Sequence, residues 1–543
     1  MQSKISLIQK FKTNWKSGIT VSLVSIPLSV SLAVAAHASP VMGIVTAIWA
    51  GLIASIFGGS NFNVVGPTGA LSGILAAYAM THGQESLAML AILSGAIILA
   101  ASALKLQKYL VFVPGSAVHG FTLGVAFIIG LNELNFALGL TGLPSHEKFI
   151  ENVLESFRGI GGASSAAVIT FTVFLTILLL FKKYLSRVPG AIVAAPLGII
   201  LGILTSLHKL PFNLLTLDSL YPNIRAAFFI APKLFLNESL VMPALAVALV
   251  GILETMISAK IADGMTDTRH SKRKEMRGLG LANIASGLMG GIPATAALAR
   301  TSLNIKTGAT DKLSAGISSI CVAVISLFFL KYFRFIPLAV IAAILVFVAI
   351  QMVEAEHFFR MFRYDRKNLY LSLATAFVTI YEDPIVGIVF GVGLASVLLV
   401  EKLSRGQFDL VINDKHKQIV ERVSGENLEK LVQGSDTIVY SIKGLLCYVN
   451  SEAHLNRFRS HLNGSKNIVL RLRSVYYMDI DGAEVINEII SLAESQGKNI
   501  FLTGINPVVA EMLRENSSFR RLKAEHRVFA KTSEALARLG FQI

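Results

Sequence analysis

The chain has 543 residues, of which 53% are hydrophobic and only 15% charged, with a formal net charge of +15 and a mean hydropathy of +0.62. A water-soluble chain carries about 25% charged residues, so a wholly soluble protein is excluded. The basic excess lies in short loops between apolar runs, which excludes a nucleic-acid-binding surface, and two cysteines, Cys321 and Cys447, exclude a disulfide framework.

Residues 1–16 form a basic N-terminal segment with Lys4, Lys10, Lys12 and Lys16. An apolar stretch follows at 17–36, and Ala36-His37-Ala38 imitates a signal-peptide cleavage site. A second apolar run starts at Val41, so the first stretch reads as an uncleaved span. Further apolar segments fall at 41–58, 62–80, 86–104, 109–132, 163–181 and 189–207. A second series occupies 241–262, 277–291, 293–305, 313–331, 335–353, 368–381 and 384–400. Ser164–Phe181, Phe335–Val353 and Pro384–Val400 contain no charge at all. The pattern predicts an α-helical polytopic membrane protein of about fourteen spans in two sets of seven.

Basic residues orient these spans. Lys105 and Lys108 follow the fourth segment, and Lys182, Lys183 and Arg187 the sixth. Arg269, Lys272, Arg273, Lys274 and Arg277 follow the eighth, and Arg360, Arg363, Arg366 and Lys367 the twelfth. All stand on the side of the N-terminus, which places both termini in the cytoplasm of a cell bounded by this inner (plasma) membrane. Seven spans per set invert the second repeat (241–403) relative to the first (17–207).

The third segment opens Asn63-Val-Val-Gly-Pro-Thr-Gly-Ala70, and the tenth opens Gly290-Gly-Ile-Pro-Ala-Thr-Ala-Ala297. With the repeats offset by about 224 residues, Pro67 projects close to Pro293. One Gly/Pro-rich segment alone is ordinary in membrane helices, but two at matching positions predict a pair of half-helices. Arg300 lies about two turns into the second of these. A cation at that depth is costly unless it faces a cavity or a partner; the simpler account is a side chain that snorkels to the headgroups. Two helix N-termini and a guanidinium make a site suited to a small oxyanion. Glu254 interrupts an apolar run within the eighth segment, with Ser258 one turn on. It reads either as a carrier of a proton or cation or as a partner of Arg300. Thr68, Gly69, Ala70, Thr295, Ala296 and Ala297 are the candidate contacts at the two N-termini, with close helix packing as the alternative for the alanines.

Leu253-Glu-Thr-Met-Ile-Ser-Ala-Lys-Ile-Ala-Asp-Gly-Met-Thr266, Gly278–Asn283, Gly290-Gly-Ile-Pro293 and Ala299-Arg-Thr-Ser-Leu-Asn304 resemble the SulP anion transporter family, as does Gly66-Pro-Thr-Gly-Ala70. The tail resembles a STAS domain. The resemblance implies a secondary anion transporter, not an enzyme, with a core bundle moving against a gate bundle in a homodimer, spans over 17–403 and a cytoplasmic α/β STAS domain over 406–543. It implies an arginine beside the substrate at Arg300 and an acidic coupling residue at Glu254, with Ser258, for H+ or Na+; no other cofactor is expected. Leu28 and Leu32, after Pro27, align with first-span positions that often hold polar or aromatic side chains, so that contribution is apolar here. The family carries sulfate, bicarbonate, chloride, oxalate and dicarboxylates. Alternatives are an uncoupled exchanger or channel, and a membrane-anchored STAS regulator; charges placed in lipid favour transport.

His37, His119 and His270 are scattered without acidic or cysteine companions at ligand spacing, so no metal site is expected beyond Na+ at Glu254 and Ser258. Asp263 belongs with the basic residues at the end of the eighth segment. In the tail, strands are predicted at 437–442, 467–472 and 499–503, and helices at 451–462, 482–496 and 507–515. No phosphate loop or nucleophile–base pair supports catalysis. Tyr476-Tyr-Met-Asp-Ile-Asp-Gly482 occupies the turn where STAS antagonists carry Asp, a phosphorylatable serine and Gly. Asp479 fits that frame, while Asp481 stands in the serine's place. A helix-terminal carboxylate stabilises by about 0.3–1 kcal/mol, so capping is the expected role. The antagonist-type phosphorylation switch is then unavailable, and the tail is expected to contact cytoplasmic proteins or assist assembly.

Overall fold

The computed structural model describes residues 7–108, 113–140, 143, 149–185, 189–222, 224–232, 238–382, 384–413, 419–423, 437–461 and 465–541. Lys4, Arg187, residues 109–112 of the fifth predicted segment and residue 462 of a predicted tail helix lie outside them. Contacts divide the chain into two units, Met1–Ala395 and Ser396–Ile543.

A backbone in hydrocarbon must satisfy its own N–H and C=O groups, and the first unit does so almost entirely with helices. The first set is α1 (Leu7–Ala35), α2 (Pro40–Phe57), α3 (Gly69–His82), α4 (Ser86–Ala103), α5 (Gly115–Asn132), the short α6 (Leu134–Leu138) and α7 (Phe149–Arg158), α8 (Ser165–Tyr184) and α9 (Gly190–Ser206). The second is α10 (Val241–Thr266), α11 (Lys272–Leu288), α12 (Leu298–Lys306), α13 (Leu313–Phe329), α14 (Leu338–Met352), the short α15 (Ala355–Tyr364), α16 (Arg366–Tyr381) and α17 (Pro384–Ser404). Among the described residues, nine helices are long and apolar enough to cross a bilayer. Apart from α6, α7 and α15, which were not anticipated, each helix corresponds to one predicted segment. α1 starts at Leu7, so Lys10, Lys12 and Lys16 lie on its first turns and not in a separate N-terminal segment.

The two broken segments behave alike. Residues 62–68 run non-helically into α3, and residues 289–297 into α12. At about 1.5 Å per residue, these helices of 14 and 9 residues fall short of the ~30 Å hydrocarbon core. Their approach strands, β1 (Val65–Gly66) and β2 (Thr295–Ala296), pair antiparallel with Val65 opposite Ala296 and Gly66 opposite Thr295. The pairing satisfies backbone that would otherwise be stranded inside the bundle. Around it, α4 packs on α11, and α2 on α11 and α13. Glycine permits the first contact: a Cβ on Gly95 would lie 2.6 Å from the Gly280 carbonyl oxygen. α5 packs against α14 and α16.

The second unit holds a six-stranded sheet in the order β4-β3-β5-β6-β7-β8. β3 (Gln407–Asn413) pairs antiparallel with β4 (Ile419–Val423) and β5 (Thr437–Leu446). β6 (Asn467–Met478), β7 (Asn499–Thr503) and β8 (Val528–Phe529) continue it in parallel. α18 (Ser451–His461), α19 (Ile480–Ser495), α20 (Pro507–Met512), α21 (Ser517–Ala524) and α22 (Thr532–Arg538) make the connections. The strand period of two sorts the core. Tyr440, Ile442, Leu470 and Leu502 pack on α19 through Ile486 and Ile490, while Val439, Val469 and Phe501 face α22 at Ala535.

Candidate functional site

The strand pair brings the N-terminal ends of α3 and α12 together, against the middle of α10. Thr68 is the residue before α3 and Ala297 the residue before α12; neither caps its helix with a side chain. The first-turn N–H groups, at Gly69–Leu71 and at Leu298–Arg300, thus lack side-chain caps, and the two positive dipole ends lie at one place.

Arg300 is 2% exposed and is the largest fully buried side chain among the described residues. It does not snorkel. Its Nη2 donates to the carbonyl oxygen of Pro67, tying α12 to the loop before α3, and its Nε finds no partner among the described residues. Gly66 makes room for it, since a Cβ there would stand 2.7 Å from Nη1.

Glu254 joins the halves a second way. Its Oε2 accepts from the Thr68 hydroxyl at 3.0 Å and from the Thr295 hydroxyl, which lie 3.2 Å from each other. No ion pair joins Glu254 to Arg300 among the described residues: the carboxylate is bonded to two hydroxyls and the guanidinium to a backbone oxygen. Two of the expected backbone donors are already engaged. The Ala296 N–H donates to Thr255 Oγ1 at 3.1 Å, and the Ala297 N–H to the Val64 oxygen at 3.0 Å. Ala70 is buried beside the N-terminus of α3. Leu32 is buried and Leu28 half-buried on α1, which packs against both α3 and α12.

Ser258 takes part in a different network from Glu254. Its hydroxyl contacts Asn63 Oδ1 at 3.0 Å and Thr301 Oγ1 at 3.1 Å. Asn63 Nδ2 donates to Glu275 Oε1 at 2.6 Å, and Glu275 Oε2 accepts from the N–H groups of Gly59 and Ser60 at 2.6 and 2.7 Å. Sequence reasoning missed Glu275, a buried acid hidden among the basic residues 272–277 whose location offered a signal. It also missed Asn304, which joins Ser17 of α1 to Ser314 of α13, and the buried carboxyl of Glu133.

The histidines need correction. Folding gives His119 two ligand-type neighbours, Glu354 and His357, from the other half of the chain. His270 reaches back to Asp263, with Nδ1 2.7 Å from Oδ2. Of these three, His37 alone has no such neighbour among the described residues. In the tail, Asp479 caps α19: Oδ1 accepts from the Gly482 N–H at 2.9 Å and Oδ2 from the Tyr448 N–H at 3.1 Å. Asp481 lies exposed in the first helical turn, so the capping expected at this turn comes from Asp479.

The sequence profile described as "Sulfate permease family" matches residues 11–375, and that of the STAS domain residues 429–535. YvdB of Bacillus subtilis (strain 168), a candidate sulfate transporter by name, is 31% identical over 524 residues, 96% of each chain. The bicarbonate transporter BicA of Synechocystis is 24% identical over 534 residues, 96% of this chain and 92% of its own. Among solved structures, the murine Solute Carrier 26 family member A9 anion transporter superposes with a TM-score of 0.82 at 16% identity, over 99% of this chain and 92% of its own. The transmembrane domain of BicA gives 0.63 at 23% identity, over 72% and 99%. A chain with these half-helices, this buried arginine and these relatives belongs to the sulfate permease family, and is a multi-pass membrane anion transporter carrying a STAS domain.

Proposed function

We propose that the protein is a secondary active transporter of a small inorganic oxyanion, sulfate or bicarbonate, that holds the ion between the N-termini of α3 and α12 beside Arg300. The observation that carries this reading is the β1–β2 pairing, which converges two uncapped helix ends on a buried guanidinium with one unpartnered N–H. Anion binding adds the charge that the guanidinium lacks, and the apolar Leu28 and Leu32 line the α1 side. Gly69 and Ala70 let the ion approach the backbone.

Glu254 is the coupling group in this proposal. A carboxylate held by the two hydroxyls that flank the helix ends can take a proton or, with oxygen donors around it, a sodium ion. Taking up that cation neutralises the carboxylate and so removes its repulsion of the anion across one strand pair. Ser258 supports this indirectly, through Asn63 and Thr301, by fixing the loop before α3 to α12. The protein works as a homodimer in the inner membrane with both termini, and the STAS tail, in the cytoplasm. The names of YvdB and BicA support sulfate and bicarbonate as the anions to test.

Counterflow of labelled sulfate and of labelled bicarbonate into proteoliposomes, with and without a sodium or pH gradient, tests the reading. Saturable uptake of one anion, raised by one gradient, is expected. Uptake of neither anion, or conductance without saturation, would contradict it.

A further inference from the structure

We propose that His119, Glu354 and His357 form a binding site for a divalent transition-metal ion of the zinc class. The cluster shares no residue with the anion site. His119 lies on the second turn of α5, Glu354 stands immediately before α15, and His357 lies on the first turn of α15. One ligand atom from each residue comes within 4.8 Å of the other two.

The geometry is close to what such an ion needs. A tetrahedral zinc with bonds of about 2.0–2.1 Å holds its donor atoms about 3.3 Å apart. His119 Nδ1 already lies 3.1 Å from Glu354 Oε2. The two imidazole rings sit 4.0 Å apart between centroids and tilted by 36°, so a modest rotation completes the triangle. Glu354, the residue before α15, and His357, on its first turn, present their ligand atoms within 4.8 Å of each other.

The donor set is selective. Two imidazoles and one carboxylate suit zinc and its neighbours, with a fourth position left for water. Calcium and magnesium prefer all-oxygen shells. A carboxylate beside two histidines also offsets the charge of a dication, and the Glu354 side chain is 40% exposed, so an ion can enter from outside.

One group opposes the ion. Arg360 Nη2 lies 3.1 Å from His357 Nδ1. A neutral His357 that accepts at Nδ1 carries its proton on Nε2, so ligation through either nitrogen requires that contact to break. The Arg360 side chain is exposed on a long stem and can withdraw its charge into water. Arg360 therefore weakens the site without blocking it, and sets it apart from a plain histidine–carboxylate pair.

The test uses untagged, full-length protein in detergent, stripped with a chelator and titrated with zinc by calorimetry. The wild type should bind about one zinc per chain with micromolar or tighter affinity. His119→Ala and His357→Ala should each weaken that binding at least tenfold, while Arg360→Ala should tighten it severalfold. His270→Ala, which touches the other histidine–carboxylate pair, should leave it unchanged. X-ray absorption on the zinc-loaded wild type needs no variant to fold, and should report an N/O shell with two imidazoles. Absence of micromolar binding, equal affinity in the His119→Ala/His357→Ala double variant, or a shell without imidazole would each overturn the proposal.

Discussion

At Arg300 the balance of terms is unusual. A buried guanidinium in a low-dielectric bundle is costly, and here it recovers one hydrogen bond to Pro67 while Nε has no partner among the described residues. Gly66 is the residue that makes the position available. Adding a methyl there forces the guanidinium aside, at small cost in stability because the far end of a flexible chain can move. Gly66→Ala should therefore fold and melt like the wild type yet lose at least tenfold in saturable uptake, read by proteoliposome assays beside a thermal melt. Glu254 makes a separate prediction. Glu254→Gln keeps an oxygen for the Thr68 and Thr295 hydroxyls but loses the charge. It should retain anion-for-anion exchange and lose accumulation driven by a gradient. A Gln variant that still concentrates the anion would leave the carboxylate only a structural role. Arg300 and Glu254 were legible in the sequence because charge inside apolar runs is rare. Asn63, Thr301 and Asn304 were not, since uncharged polar residues are common in membrane helices and their partners lie up to 287 residues away.

Elements were legible where a single rule governs them. Length and hydropathy locate every long helix, missing its ends by up to ten residues where polar first turns lead in, as in α1, and Gly/Pro breaks locate the half-helices. The predicted third and tenth segments start earlier than α3 and α12 because their first residues are β1 and β2, two-residue strands whose pairing is nonlocal. The amphipathic α7 and α15 went unseen for the same kind of reason, being too short and too polar for a hydropathy window. In the tail the central strands β5, β6 and β7, apolar runs with consecutive buried residues, were found, whereas β3, β4 and β8 depend on neighbours to declare them. One tail contact carries a pH prediction. His454 of α18 is fully buried, with Nδ1 3.1 Å from the Tyr440 hydroxyl of β5. Burial, and then the Arg457 cation, pushes its pKa from 6.5 down to about 4. Between those values the unfolded chain takes up a proton that the folded chain refuses. The histidine's contribution is thus complete above about pH 6.5 and declines as pH falls, by about 3 kcal/mol at pH 4. Hydrogen exchange in β5 and α18, corrected for intrinsic rates, should be faster at pH 5 than at pH 7.5. His454→Phe should abolish that difference; an unchanged difference would assign it to another group.

For the whole molecule, the first unit carries two helix sets, each with one half-helix entered through a two-residue strand. The seven helices α1–α5, α8 and α9, and the seven helices α10–α14, α16 and α17, each include one half-helix, and the strands before the two half-helices pair. The second unit has its own sheet and core, with Asp479 capping α19 and Asp481 standing where a phosphorylatable serine would make a switch. Deleting 406–543 should accordingly lower expression or dimer content severalfold while leaving the Michaelis constant for the anion within about twofold. A truncation with altered anion selectivity would contradict this.

The central claim, that the anion sits between α3 and α12 at Arg300, is tested most directly by binding, without transport. Labelled sulfate and labelled bicarbonate should each be titrated by equilibrium dialysis into detergent-purified wild type, Arg300→Lys and Arg300→Ala, all checked for the same elution profile. For the anion the wild type binds, affinity should weaken partly in Arg300→Lys, because lysine lacks the planar fork that grips an oxyanion, and disappear in Arg300→Ala. Equal affinity in all three proteins would place the anion elsewhere and contradict the account.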